Sequence, residues 1–286
     1  MISASLRRAA TVSAVVAAAA LTLSACAFSS EGPSSSAGVE EGELATLTPG
    51  TLTIATGDPA YEPWVSDNDP ASGEGFEAAV AYAVAEELGF AAEDVVWVRS
   101  TFDSAIAPGP KDWDLNIQQF SVTEERKNAV DFSSPYYVTA QAVVTTSTSP
   151  AASATSIDEL SEYVVGAASG TTSYTIAADQ LGTDNLQVFN NNDDVVAALN
   201  SGTIDAFVID LPSAFYLSAA VLDDGVIVGQ FADSSEGGDE LAFVLPKDSE
   251  LTADVTAAVD ALEADGTLAA LEQEWLSDAV DVPVLK

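Results

Sequence analysis

The sequence predicts an α/β protein folded as two lobes, each built on its own sheet. Strand-like and helix-like segments alternate from Gly50 onward, the grammar of helices laid against parallel-type sheets. The 286 residues are enough for two lobes with a core apiece. Two loose segments lie where the chain could pass between lobes: Thr145 to Thr155, holding Pro150, and Asp233 to Asp239, holding Gly237 and Gly238.

Thr51 to Ala55 is a short β-favouring run and reads as the first strand. Phe76, Ala79, Val80, Ala83, Val84 and Leu88 recur at helical spacing and stop at Gly89, a good helix terminator. Val95 to Val98 and Trp113 to Ile117 are the next strands. Beyond the first loose segment the alternation resumes, with strands at Tyr163–Ala168, Leu186–Phe189, Ile204–Ile209 and Val226–Phe231. Helices are expected between them at Thr171–Leu181, Asp193–Leu199 and Pro212–Leu222. Leu251 to Trp275 is helical with a break at Asp265-Gly266. No short internal repeat is present, which argues against a solenoid.

The first residues point to export. Arg7 and Arg8 precede an apolar stretch, Val12 to Leu23, that is too short to span a bilayer. Leu23-Ser24-Ala25-Cys26 follows and resembles the lipobox of bacterial lipoproteins, which implies lipidation of Cys26 and an anchor on the outer face of the cytoplasmic membrane. Cys26 is the only cysteine, so no intramolecular disulfide can form. Residues 1–25 are read as the leader and 26–48, rich in Ser, Gly and Glu, as a flexible tether. Loss of the leader removes two of the 8 basic residues and none of the 45 acidic ones, leaving 261 residues with a net charge of −39. Such a surface repels nucleic acid and anionic headgroups. Histidine is absent, which excludes the usual nucleophile–base pairs and soft metal sites but leaves carboxylate acid–base chemistry open.

Three pairs of segments carry a resemblance: Asp58-Pro-Ala-Tyr-Glu-Pro-Trp64 with Gly75-Phe76-Glu77; Ser121-Val-Thr-Glu-Glu-Arg126 with Val130-Asp-Phe-Ser-Ser-Pro-Tyr136; and Ser169-Gly-Thr-Thr172 with Ile204-Asp-Ala-Phe-Val-Ile-Asp210. With the ending Ala264-Asp-Gly-Thr-Leu268…Trp275, the order and spacing are similar to the type-3 family of bacterial extracellular solute-binding proteins. The resemblance implies a two-lobe, periplasmic-binding-protein-like (type II) fold with a two-strand hinge and an interlobe ligand cleft. Lobe 1 would hold residues 49–139 and 240–286, and lobe 2 residues 140–239. It also implies a monomer that binds a small polar amino acid by hinge closure and delivers it to an ABC transporter permease, with neither cofactor nor catalysis. The alternatives are a dehydratase or lyase on the same fold, using a cleft carboxylate, and a ligand-sensing lipoprotein that delivers nothing.

An amino acid offers a carboxylate and an ammonium on one carbon, so its site needs a fork of donors and a separate acceptor. Arg126 is the donor candidate, because a guanidinium grips a carboxylate with two parallel bonds. It is expected in the first turn of a helix capped by Thr123, and it matches the family's carboxylate-binding arginine. Ser169-Gly170-Thr171-Thr172 lies between a strand and a helix and would close onto the same carboxylate, through the Thr172 side chain and the Thr171 backbone. Asp210 ends a buried strand at the edge where open α/β sheets bind ligands, and would accept the ammonium while also capping the next helix. By the resemblance, Tyr61 and Phe102 would pack on the ligand side chain, with Trp64 lining the same wall. Ser121 and Gln119 would bond the ligand, and Asp58 could meet a cationic side chain. Gln118-Gln119 stands where the family commonly has small residues, which leaves the identity of the ligand open.

Overall fold

The computed structural model describes residues 44–232, 238–276 and 282–286, all within one compact unit. The expected leader, Cys26 and most of the tether lie outside the described residues. In chain order the elements are β1 (Leu52–Thr56), α1 (Phe76–Glu87), β2 (Val95–Arg99), α2 (Phe102–Ile106), β3 (Leu115–Asn116), β4 (Val130–Thr139), β5 (Gln141–Thr146) and α3 (Ile157–Leu160). There follow β6 (Val165–Ala168), α4 (Thr172–Leu181), β7 (Leu186–Phe189), α5 (Asn192–Asn200), β8 (Ala206–Asp210), α6 (Leu211–Tyr216) and β9 (Gly225–Phe231). The chain closes with β10 (Asp239–Pro246), α7 (Thr252–Asp265), α8 (Thr267–Trp275) and β11 (Val284–Leu285).

These strands form two sheets, ordered β2-β1-β3-β10-β4 and β11-β9-β5-β8-β6-β7. The sheets are mixed rather than purely parallel. β10 runs against β3 and β4, and β5 runs against β8 and β9, whereas the remaining pairs are parallel. In each sheet the reversed strand is one that has just arrived from the other sheet.

The apolar runs read as strands are continuous rather than alternating because both faces of the central strands are covered. In the second sheet Ala142, Val144, Phe207 and Ile209 pack into one cluster, while Val143, Ala206 and Val208 pack into another on the opposite face. In the first sheet Leu52, Ile54 and Phe243 meet Phe76, Val80 and Val84 of α1 and Val255, Val259 and Leu262 of α7. α7 and α8 are broken at Gly266, which takes a left-handed conformation with φ 84°.

The chain passes between the two sheets three times. The first falls at Ala140, between β4 and β5 and so between residues 49–139 and 140–239, while the loose segment 145–155 begins in the last residues of β5 and includes a short turn at Pro150–Ser153. The second joins β9 to β10, and most of its expected loose segment, 233–237, lies outside the described residues. A third was not anticipated: after α8 the chain ends on the second sheet, β11 pairing with Gln230 and Phe231 of β9. Residues 282–286 therefore belong with 140–239 and not with the first lobe. Their placement is tight, since Gln230 N donates to Pro283 O (2.8 Å) and Ile157 N to Lys286 O (3.2 Å).

Candidate functional site

The parallel strands β1, β2, β3, β6, β7 and β8 all point their C-terminal ends toward one region, where the following loops meet across the two sheets. This is the edge at which open α/β sheets gather ligands. A cavity of about 360 Å³ lies there, near the lower end of the roughly 300–1,000 Å³ usual for small-molecule sites. All nine residues expected to hold ligand line it: Asp58 and Tyr61 after β1, Phe102 after β2, Gln119, Ser121 and Arg126 after β3, Thr171 and Thr172 after β6, and Asp210 at the end of β8.

Arg126 is buried, and its guanidinium donates to Ser121 O (2.6 Å) and, from the other lobe, Gly170 O (2.8 Å). It stands 5.3 Å over the Phe102 ring, itself stacked on Phe120 with centroids 4.8 Å apart. Burial lowers the Arg126 pKa from its usual value, and Asp239, Asp210 and Glu125 work in the opposite direction. Both of these acceptors are neutral carbonyls, and among the described residues Arg126 makes no ion pair. A guanidinium carries five N–H groups, so donors remain for an anion. The helix expected around Arg126 is a single 3₁₀ turn, Arg126–Asn128, so no helix dipole assists it. Thr123 Oγ1 does accept from Arg126 N (3.2 Å). Asp131, a conceivable surface partner for Arg126, pairs with Lys247 instead (2.8 Å).

Facing Arg126, Gly170 adopts φ 73°, and a Cβ there would stand 3.0 Å from Asp103 Oδ1. Thr171 caps α4, its hydroxyl accepting from Tyr174 N (3.1 Å) and donating to Ala168 O (2.7 Å). Its side chain is thereby engaged, leaving its backbone for a ligand. Thr172 Oγ1 meets Ser121 Oγ at 3.1 Å across the cleft.

Asp210 holds the N-cap position of α6, but its side chain makes no capping bond, contrary to the double role expected of it. Oδ1 instead accepts from Gln141 Nε2 (2.7 Å). Burial, with the charge of Asp239, pushes its pKa up to about 7. Glu77 is fully buried beneath the site, with its pKa raised by burial to about 7. It accepts from Gln119 N (2.7 Å), Gln119 Nε2 and the Tyr136 hydroxyl. Those bonds hold Gln119 in a left-handed conformation (φ 49°) and engage its backbone N–H and one of its two amide hydrogens, which turns it toward the floor of the site. Gln118 lines the cavity with Oε1 buried and unpartnered.

Tyr61 packs by α5, where burial and the charge of Asp193 raise its pKa to about 12. Trp64 does not line the cavity. It is fully buried in the first sheet's core, and Nε1 donates to Ser213 Oγ of the second lobe (2.8 Å). Several participants had not been singled out: Asp103, Asn190, Asn191 and Asn192 in the lining, and Gln141 and Asp239 behind Asp210. Glu77 carried a signal, an acid within the apolar face of a helix; Gln141 carried none.

A two-sheet α/β chain with a polar cavity between its sheets, bounded by one cation and several carboxylates, has the form of a binding site for a small polar solute. The model of the bacterial extracellular solute-binding proteins, family 3, matches residues 52–278, and the chain belongs to that family. The L-arginine-binding protein of Pseudomonas aeruginosa is 28% identical over 229 residues, covering 76% of this chain and 85% of the relative. The L-cystine-binding protein TcyJ of Escherichia coli is 27% identical over 232 residues, covering 79% and 82%. Among solved structures, an ancestral arginine-binding protein bound to arginine superposes with a TM-score of 0.66 at 28% identity, covering 80% of this chain and 99% of the other. These relatives are binding proteins, and the family is extracytoplasmic.

Proposed function

We propose that this protein captures an amino acid with a cationic side chain between its two lobes and delivers it to the permease of an ABC importer. It does so as a monomer tethered through lipidated Cys26. Lobe 1 comprises 49–139 with β10 and the helices that follow it, and lobe 2 comprises 140–239 joined by the last strand. Arg126 grips the α-carboxylate, with Thr172, Ser121 and the Thr171 backbone closing on it. Asp210 accepts the α-ammonium. Tyr61 and Phe102 flank the side chain, and Gln119 supports the floor.

The observation that carries the side-chain preference is a charge imbalance in the lining. Asp58, Asp103 and Asp210 line the cavity against a single cation, Arg126. Once the zwitterion is matched by Arg126 and Asp210, two carboxylates are left. Neither has an ion-pair partner among the described residues, and both are exposed where they line the cavity, so together with the chain's acidic surface they attract a cation to it. A guanidinium or ammonium on the ligand would neutralise them, in keeping with the arginine-binding relatives. A dehydratase would instead turn its ligand over.

A thermal-shift screen of the twenty amino acids on the anchor-free protein tests this. L-Arginine or L-lysine should raise Tm, and the ligand should be recovered unchanged. A response to none of the twenty, or to glutamate and aspartate alone, would refute it.

A further inference from the structure

Gln141 is the first residue of β5, one position past the crossing at Ala140. Oε1 of its amide accepts from Ser173 Oγ (2.7 Å), which fixes the orientation of the group. Nε2 therefore faces Asp210 Oδ1 (2.7 Å) and Asp239 Oδ2 (2.8 Å), with Thr172 Oγ1 further off at 3.4 Å. An amide nitrogen carries two hydrogens, and two carboxylates take them. Asp239 opens β10, the strand by which the chain returns to the first sheet. One side chain thus joins both hinge crossings to the residue assigned to the ligand's ammonium.

The surroundings of Asp210 make this junction electrostatic. The groups that face it are Asp239 of β10, Glu77 of α1, Arg126, and Tyr136 and Tyr137 of β4. Arg126 is the one cation among them, and its guanidinium donates to the carbonyls of Ser121 and Gly170. A buried carboxylate and a half-buried one sharing one amide repel each other unless one takes a proton or a cation arrives.

We propose that Gln141 is a positioning residue for ligand capture: it clamps Asp210 Oδ1, leaves Oδ2 toward the ligand, and couples Asp210 to the hinge carboxylate Asp239. The charge on β10 then sets how readily Asp210 is ionised, and an arriving ammonium relieves the repulsion between the two acids. This rests on the amino-acid-binding function proposed above, with Asp210 as acceptor.

The test compares wild type, Gln141→Leu and Asp239→Asn by two readouts. Carbon-13 NMR follows the Asp210 carboxyl against pH in the ligand-free protein, and calorimetry follows affinity for L-arginine over the same range. The wild-type carboxyl should titrate near 7. Its midpoint should move toward alkali in Gln141→Leu, which loses a bond to the ionised form, and toward acid in Asp239→Asn, which loses the repulsion. Each displacement should be on the order of one pH unit. Affinity for L-arginine should fall about tenfold per pH unit below the midpoint and follow the same displacements. A uniform loss of affinity in both variants with unmoved midpoints marks a merely structural role and overturns the proposal. Midpoints that move as stated in a protein that ignores L-arginine would uphold the Gln141–Asp239 coupling and refute the cationic-ligand function instead.

Discussion

Removal of the Arg126 guanidinium is the most direct perturbation of the site. Arg126→Ala takes away the single cation of the lining, together with the donors to Ser121 O and Gly170 O. A bound carboxylate would then be desolvated without a partner. Breaking a buried ion pair from one side costs about 3–5 kcal/mol, which is a loss of roughly 10²- to 10³-fold or more in affinity. The two stranded carbonyls add about 1–3 kcal/mol of destabilisation each if water does not reach them. Without the guanidinium, Asp210 also loses the charge that favours its ionised form, so its pKa rises further and the ammonium is held less well near neutrality. Calorimetry with L-arginine is therefore best run at alkaline pH, where Asp210 is ionised in both proteins and the carboxylate contribution is isolated. Arg126→Lys should recover only part of the loss, because an ammonium lacks the planar fork. A dissociation constant for Arg126→Ala within about threefold of wild type, below the roughly 10²-fold expected, would refute the assignment of Arg126 to the ligand carboxylate.

Two further outcomes follow from the same geometry. Asp210 and Glu77 both titrate near 7 in the folded protein, raised from 3.8 and 4.5. The fold thus holds protons that the unfolded chain has released. The stability they confer is complete below about pH 4 and is lost as pH rises through 7. Ligand-free Tm should be higher near pH 5.5 than at pH 8 by about 3–10 °C, and the drop should shrink in Glu77→Gln. A drop as large in that variant as in wild type would contradict the assignment to Glu77. In a separate place, Gly229→Ala would put a Cβ 2.7 Å from Leu285 Cγ and 2.8 Å from Pro283 O. It should lift β11 at a cost of about 1–3 kcal/mol and speed hydrogen exchange at the Gln230 and Ile157 amides; unchanged exchange would count against the docking of β11.

Much of the second lobe was legible because its strands are short apolar runs punctuated by capped helices. Thr171 and Asn191 both cap as their residue type favours. The mixed sheets were not legible, because the direction of β5 and β10 is decided by their arrival from the other sheet, and no local pattern in either strand records it. β11 is two residues long and carries no pattern; it is held by partners more than fifty positions away. In the cavity lining, Asp58, Tyr61, Ser121, Arg126, Thr171, Thr172 and Asp210 come together because their motifs lie at or beyond the C-terminal ends of parallel strands. Gln141 and Asp239 were missed because their roles arise from a meeting of two crossings that no local window contains. Trp64 was misplaced for a related reason: an aromatic in a loop motif can face either wall of that loop, and here the core took it.

The third crossing gives the two ends of the described chain different mechanical homes. Leu44 packs on the core of the first sheet, while the carbonyl of Lys286 is held by Ile157 beside the second. If capture closes the two bodies as proposed, the span between these termini should change, and a fluorophore pair attached there would report it. A support attached at the start leaves the other body as the moving arm, and cargo fused behind Lys286 would ride on it.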